Sequence, residues 1–171
     1  MQQPPKRLFH KAMSKIKYDV NFINPFLTAV MDVLSTMARV EATPGTPYIN
    51  KDRRAVGDIT GLIGVSGYSR GTMSLTLSEG AILKIVNNML YESYTEINDE
   101  IADAVGELTN MISGQARAHL SDQGMSFDAS TPSVVSGKGL VIRHIDTAPV
   151  LSIPFSIEEG EFVVEVAFAD S

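Results

Sequence analysis

The sequence predicts a single α+β domain, an antiparallel sheet with about three helices packed on one face. Three observations lead there. Apolar spacing along the chain reads helical, then strand-like, then helical twice, then strand-like, without the regular strand–helix alternation of a doubly wound parallel sheet. Glycine-bearing turn signals separate neighbouring strand-like runs at hairpin distance, which favours antiparallel pairing. The length of 171 residues with 44% hydrophobic content suffices for one core at the usual size of one domain.

Residues 1–17, MQQPPKRLFHKAMSKIK, read as a basic, flexible N-terminal extension ahead of a domain spanning 18–171. Leu8, Ala12 and Ile16 at helical spacing leave room there for a short docking helix or a surface anchor. Asn24-Pro25 offers an N-cap followed by proline at the first helical position, and Phe26, Val30, Val33, Leu34 and Met37 carry a helix to about Ala38. The segment 41–50, with Pro44-Gly45 and Pro47, has to turn or run irregularly at a sheet edge, because proline brings no donor to a central ladder. Stretches 55–68 and 71–77 are rich in Val, Ile, Leu and Thr and read as strands joined by a turn near Gly67 to Gly71. Gly57, Gly61 and Gly64 weaken the first of them unless something packs closely, so a helix lies near that face or a bulge interrupts it.

Ser78 caps a second helix, whose apolar stripe of Ala81, Ile82, Ile85, Val86, Met89 and Leu90 ends at about Tyr91. Asn98 or Asp99 starts a third, where Asp99 and Glu100 place negative charge at the positive end of the helix dipole. Gly124 stops it soon after Leu120. The remainder is β-like: a short piece near Ser126-Phe127, a stretch over 133–145 kinked at Gly137 to Gly139, then 150–157 and 161–169 joined as a hairpin through Glu159-Gly160. Pro154 marks an edge or a bulge.

Five of the 14 Lys and Arg lie in residues 1–17, which hold no acid, so all 20 Asp and Glu and nine basic residues belong to the body. An acidic body argues against a nucleic-acid footprint, which needs clustered Lys and Arg. The absence of cysteine excludes disulfides, thiolate nucleophiles and Cys-based zinc sites. No uninterrupted apolar run approaches the roughly 18 residues of a transmembrane helix, and no apolar stretch follows the basic start as in a signal peptide. A cytoplasmic protein is expected.

The common catalytic constellations are missing: no G-x-S-x-G elbow, no phosphate-cradling G-x-x-x-x-G-K-[ST], no H-E-x-x-H. Gly61 to Gly67 resembles a glycine-rich nucleotide loop but lacks the lysine and leads into a strand. His10 falls in the extension, His144 in a strand beside Arg143 and Asp146, and His119 on the apolar face of the third helix, so no metal site is assembled. The third helix holds the exception. Ile101, Val105, Leu108 and Ile112 fall on one face and Asp103, Glu107, Asn110 and Gly114 on the other. An outward face ordinarily carries good helix formers, whereas Asn costs about half a kcal/mol and Gly about 1 relative to Ala. Glu107 and Asn110, one turn apart, can hold a water or a counter-charge on a rigid support. No nucleophile, metal or oxyanion cradle accompanies them, so the pair makes sense as half of an active site completed by a partner.

Asp103-x3-Glu107-x2-Asn110 within DAVGELTNMISGQA closely resembles the signature helix of the CheC, CheX and FliY family of bacterial chemotaxis phosphatases. The Asn24-Pro25-Phe26 start, the Gly61-x-x-Gly64-x-x-Gly67 strand, the Gly71 hairpin and the helix pair between extend the resemblance over roughly 18–170. The first helix, NPFLTAVMDVLSTM, has no second Glu-x-x-Asn, as in the one-site CheX type. The resemblance implies a phosphatase that hydrolyses the aspartyl phosphate of a CheY-like response regulator. It implies that Asn110 holds the hydrolytic water in line with phosphorus, that Glu107 pairs with the regulator's lysine, and that Asp103 supports the edge of the contact. Gly114, and Gly106 unless helix packing accounts for it, would let a partner backbone approach. Mg²⁺ would come with the regulator, the chain having no cofactor of its own, and a homodimer joined at sheet edges is implied. Two other readings remain: a non-catalytic response-regulator-binding or scaffold module using the same helix, and a small-molecule domain using the glycine-rich strand.

Overall fold

Asp19 starts the first helix, five residues earlier than Asn24-Pro25 predicts: its side chain accepts from the Phe22 backbone N–H at 3.1 Å, and α1 runs Val20–Ala38 with Pro25 inside it. The extra turn seats Phe22, 1% exposed, with ring centroids 5.3 Å from Phe26 and 5.5 Å from Phe168. Proline at 25 deprives the Asn21 carbonyl of its helical donor, and Gln123 Nε2 takes that carbonyl instead at 2.8 Å. By length and composition α1 could cross a membrane; here Phe26, Ala29, Val30, Leu34 and Ala38 bury its apolar stripe in the core.

The computed structural model describes residues 16–144 and 148–169. The helix predicted from Leu8, Ala12 and Ile16 lies almost wholly outside them. Two further helices follow as expected, α2 (Glu79–Leu90) capped by Ser78 and α3 (Asp99–Ser121) capped by Asn98. The strands are β1 (Thr43–Pro44), β2 (Tyr48–Ile49), β3 (Arg54–Gly67), β4 (Gly71–Leu77), β5 (Phe127–Ala129), β6 (Ser133–Arg143), β7 (Val150–Ile157) and β8 (Gly160–Phe168). They form one antiparallel sheet in which β1 and β2 both pair with β7, followed by β8, β4 and β3, with β5 and β6 both on the far side of β3. The proline-rich segment is thus an edge, and Pro154 faces it: Gly45 N–H donates to the Pro154 carbonyl at 2.8 Å, so the missing donor of Pro154 is not on the β8 side.

Alternation along the strands sends Ile59, Ile63, Met73, Leu75, Leu77, Leu151, Ile153, Val164 and Val166 into the same core as the apolar stripes of the helices. Both readings of the β3 glycines hold. The register breaks between Gly57 and Ile59, a bulge, and at Gly61 any Cβ would collide with Thr109 Oγ1 and lie 3.3 Å from Val105 Cγ1, because α3 rests directly on the strand there. Asp58, in the bulge, accepts from Gly139 N–H at 2.9 Å and Glu79 N–H at 2.7 Å. These two bonds hold its carboxyl below the ordinary aspartate range and join the kink of β6 to the start of α2. The last hairpin turns on Glu158-Glu159, since Ile157 pairs with Gly160. Gly160 is needed for another reason: a side chain there would strike the Ser78 hydroxyl that caps α2.

Candidate active site on the third helix

The floor beneath the site is apolar. Ile101, Val105 and Leu108 are 0% exposed and Ile112 1%, which at roughly 2 kcal/mol per buried aliphatic side chain fixes the rotation of α3 about its axis. Its start is held by Asn98 Oδ1, which accepts from Ile101 N–H at 2.9 Å, and its middle by the close approach at Gly61, where Thr109 is fully buried and donates its hydroxyl to the Val105 carbonyl at 2.7 Å. Further along, Gln115 Nε2 donates to Asp32 Oδ2 of α1 at 2.9 Å. A helix held on two sides in this way presents a fixed outer stripe.

Asp103, Glu107 and Asn110 all lie exposed on that stripe, and Gly114 half-exposed one turn further on. Among the described residues none of the three side chains has a hydrogen bond or ion pair within the chain, so each keeps its full capacity for an outside partner. Gly114 is open: a Cβ there would meet only Arg117 Nη2, at 3.8 Å, an ordinary contact. Gly106 is similar, with Val134 Cγ2 at 3.5 Å as its one neighbour. Neither glycine is required by packing within the chain. The arrangement offers a carboxylate and a carboxamide side by side on a convex, solvated surface, which can position water and charge but encloses no substrate.

Two histidines differ from expectation. His119 is exposed, not on the apolar face. His144 follows β6, and its Nε2 stands 2.8 Å from Glu165 Oε1. Glu165, 1% exposed, also accepts from Asn50 Nδ2 at 2.9 Å and from the Ser152 hydroxyl. Burial pushes this carboxyl up, but the hydrogen bonds from His144, Ser152 and Asn50 together bring it below the ordinary glutamate value. The cluster lies on the sheet face away from the helices, since Glu165 alternates with the core residues Val164 and Val166. Sequence reasoning missed it, because its four members come together only through pairing of distant segments. Among the described residues no group of three or more His, Asp or Glu is arranged to hold a metal ion.

The family model described as chemotaxis phosphatase CheX matches residues 59–156, from the middle of β3 through α3 to β7. The CheY-P phosphatase CheX of Thermotoga maritima is 26% identical over 144 residues, 84% of this chain and 92% of that protein. The crystal structure of chemotaxis protein CheX from Vibrio vulnificus has 46% identity and a TM-score of 0.83, covering 88% of this chain and 100% of that one. The complex of CheX with CheY, BeF3 and Mg²⁺ from Borrelia burgdorferi contains the same fold, at TM-score 0.75 and 24% identity over 88% of this chain and 99% of that one.

Proposed function

The chain belongs to the CheX family of chemotaxis phosphatases, and from that premise we propose that it hydrolyses the aspartyl phosphate of a CheY-like response regulator with the outer stripe of α3. The observation that carries this reading is the set of three unpaired polar side chains, Asp103, Glu107 and Asn110, exposed on one stripe of a helix whose opposite face is buried. In the reaction a water oxygen bonds to phosphorus, the phosphorus–oxygen bond to the aspartate breaks, and inorganic phosphate and a free carboxylate result. The Asn110 amide oxygen accepts a hydrogen bond from the attacking water and sets it in line. Glu107 pairs with a cationic side chain of the regulator and fixes the register, and Asp103 supports the edge of the contact. Little covalent chemistry is asked of the protein, because a loose phosphoryl-transfer transition state needs chiefly positioning and charge stabilisation.

Mg²⁺ belongs to the regulator in this reading, in keeping with the B. burgdorferi complex, in which CheX and CheY are accompanied by BeF3 and Mg²⁺. Residues 18–171 are the catalytic domain and 1–17 an extension to it, working in the cytoplasm with the substrate. A second copy of the chain is expected to join at a sheet edge. The long edge strand β6, where Val135 is 43% and Val141 48% exposed, is the one that invites such pairing. The test follows the decay of phosphorylated CheY with and without the protein. Acceleration that disappears in Asn110→Ala supports the mechanism. Unchanged decay, together with measurable binding of the regulator, would establish the scaffold reading in its place.

A further inference from the structure

Seven residues beyond Asn110 the same stripe carries Arg117. At 100° per residue, Asp103, Glu107, Asn110, Gly114 and Arg117 fall within about 80° of arc. Arg117 does not extend freely into solvent. Its Nε donates to Ser113 Oγ at 3.1 Å, Ser113 is itself 1% exposed, and Nη2 comes within 3.8 Å of the point where Gly114 would carry a Cβ. The guanidinium is therefore turned back toward the helix N-terminus and held about one turn, roughly 6 Å along the axis, beyond Asn110. Restraining an arginine costs rotamer entropy of up to about 2 kcal/mol, and this one has no counter-charge to offset it: the ion pairs among the described residues are Lys84–Glu159 and His144–Glu165.

The stripe is thus ordered in charge, from carboxylates at Asp103 and Glu107, through the neutral amide of Asn110, to a preorganised cation at Arg117. An ordered series of charges matches a complementary surface in one direction only, since the reversed approach sets like charges together. Gly114, at the height of the guanidinium, leaves an open notch beside the cation. Resting on the reading of α3 as the phosphatase helix, we infer that Arg117 is a positioning residue that pairs with a carboxylate on the regulator's surface beside the phosphorylated aspartate and so fixes the direction in which α3 docks. Its anchor on Ser113 holds the guanidinium to one side of the Asn110 amide, beside the phosphoryl group and not on it.

The experiment compares wild type, Arg117→Ala and Arg117→Lys in steady-state dephosphorylation of a CheY-like regulator loaded with acetyl phosphate, at low and high salt. Binding of the beryllofluoride-loaded regulator is measured in parallel, and thermal melting checks folding. Loss of one interfacial charge pair is expected to raise KM and Kd roughly tenfold with kcat within about twofold, and to flatten the salt dependence of kcat/KM, with Lys restoring part of the loss. Unchanged KM and Kd in Arg117→Ala would overturn the inference, as would a fall in kcat at constant KM, which would put the guanidinium on the reacting group. A wild-type protein that leaves dephosphorylation unaccelerated refutes the phosphatase reading instead, and the Kd values of Arg117→Ala and wild type still decide the role of Arg117.

Discussion

Asn110 and Gly114 are both poor helix residues on the outside of a helix, and the structure supplies no internal use for either. Each should therefore separate stability from activity. Replacing Asn110 by Ala removes a propensity penalty of about half a kcal/mol, so the denaturation midpoint should rise slightly while the acceleration of dephosphorylation falls about 10²–10³-fold, the usual cost of losing a preorganised polar group. Gly114→Ala places a methyl where only Arg117 Nη2 is near; it should stabilise the fold by up to about 1 kcal/mol and lower kcat/KM by filling the notch. A stabilised Gly114→Ala variant of full activity would show that no partner uses that space. These residues were legible in the sequence because exposed helix positions are governed by propensity and little else. His119 was not, because the buried stripe of α3 winds around the helix: between Ile101 or Val105 and Ala116 or Leu120 it shifts by roughly 60° on a straight 100° wheel. The arc that covers the first turns has moved past His119 by the last.

Among the elements, β4 and β7 have the predicted bounds, and α2 and α3 begin at their predicted caps, since Ser78, Asn98 and the glycine turns are local signals read by the nearest backbone donors. The start of α1 went the other way. Asn24-Pro25 is a sound local signal, overruled by the aromatic packing of Phe22 and by Gln123, whose bond to the Asn21 carbonyl spans most of the chain. The pairing of β3 with α3 was foreseen only as an alternative, yet it sets the height of α3 above the sheet. Gly61→Ala tests that junction. The added Cβ would collide with Thr109 Oγ1 and lie 3.1 Å from Thr109 Cβ, so overpacking should cost about 1–3 kcal/mol and tilt or lift α3, reducing activity as well. Trimming the hydroxyl in a Gly61→Ala/Thr109→Ala double variant should recover part of the loss, and denaturant midpoints of the four proteins give the coupling. Strict additivity would mean that the two elements do not bear on each other there.

Across the whole molecule the sheet separates two polar systems. On the helical side α3 carries unpaired groups exposed to solvent; on the other side Asn50, His144, Ser152 and Glu165 satisfy one another and tie the ends of β2, β6 and β3 to β7 and β8. The first is exposed and the second closed, which argues that Glu165 serves the fold and not the reaction. Its carboxyl is depressed, so the sign of the pH effect is fixed: the stability it contributes is complete above the ordinary carboxylate range near 4 and is lost as pH falls through its lower native value. Glu165→Gln keeps the shape but offers a donor where a carboxylate oxygen accepted, and should cost about 1–3 kcal/mol at pH 7. Denaturant midpoints measured from pH 7 down to 3 should then decline less steeply for the variant than for wild type, because one of the carboxylates whose protonation drives acid unfolding has gone. Parallel curves would mean that the cluster does not carry the acid sensitivity. At pH 7 the folded variant should dephosphorylate the regulator at the wild-type rate, since the proposed catalytic stripe stands on the opposite face of the sheet; a specific loss of kcat without loss of folded protein would connect the two faces.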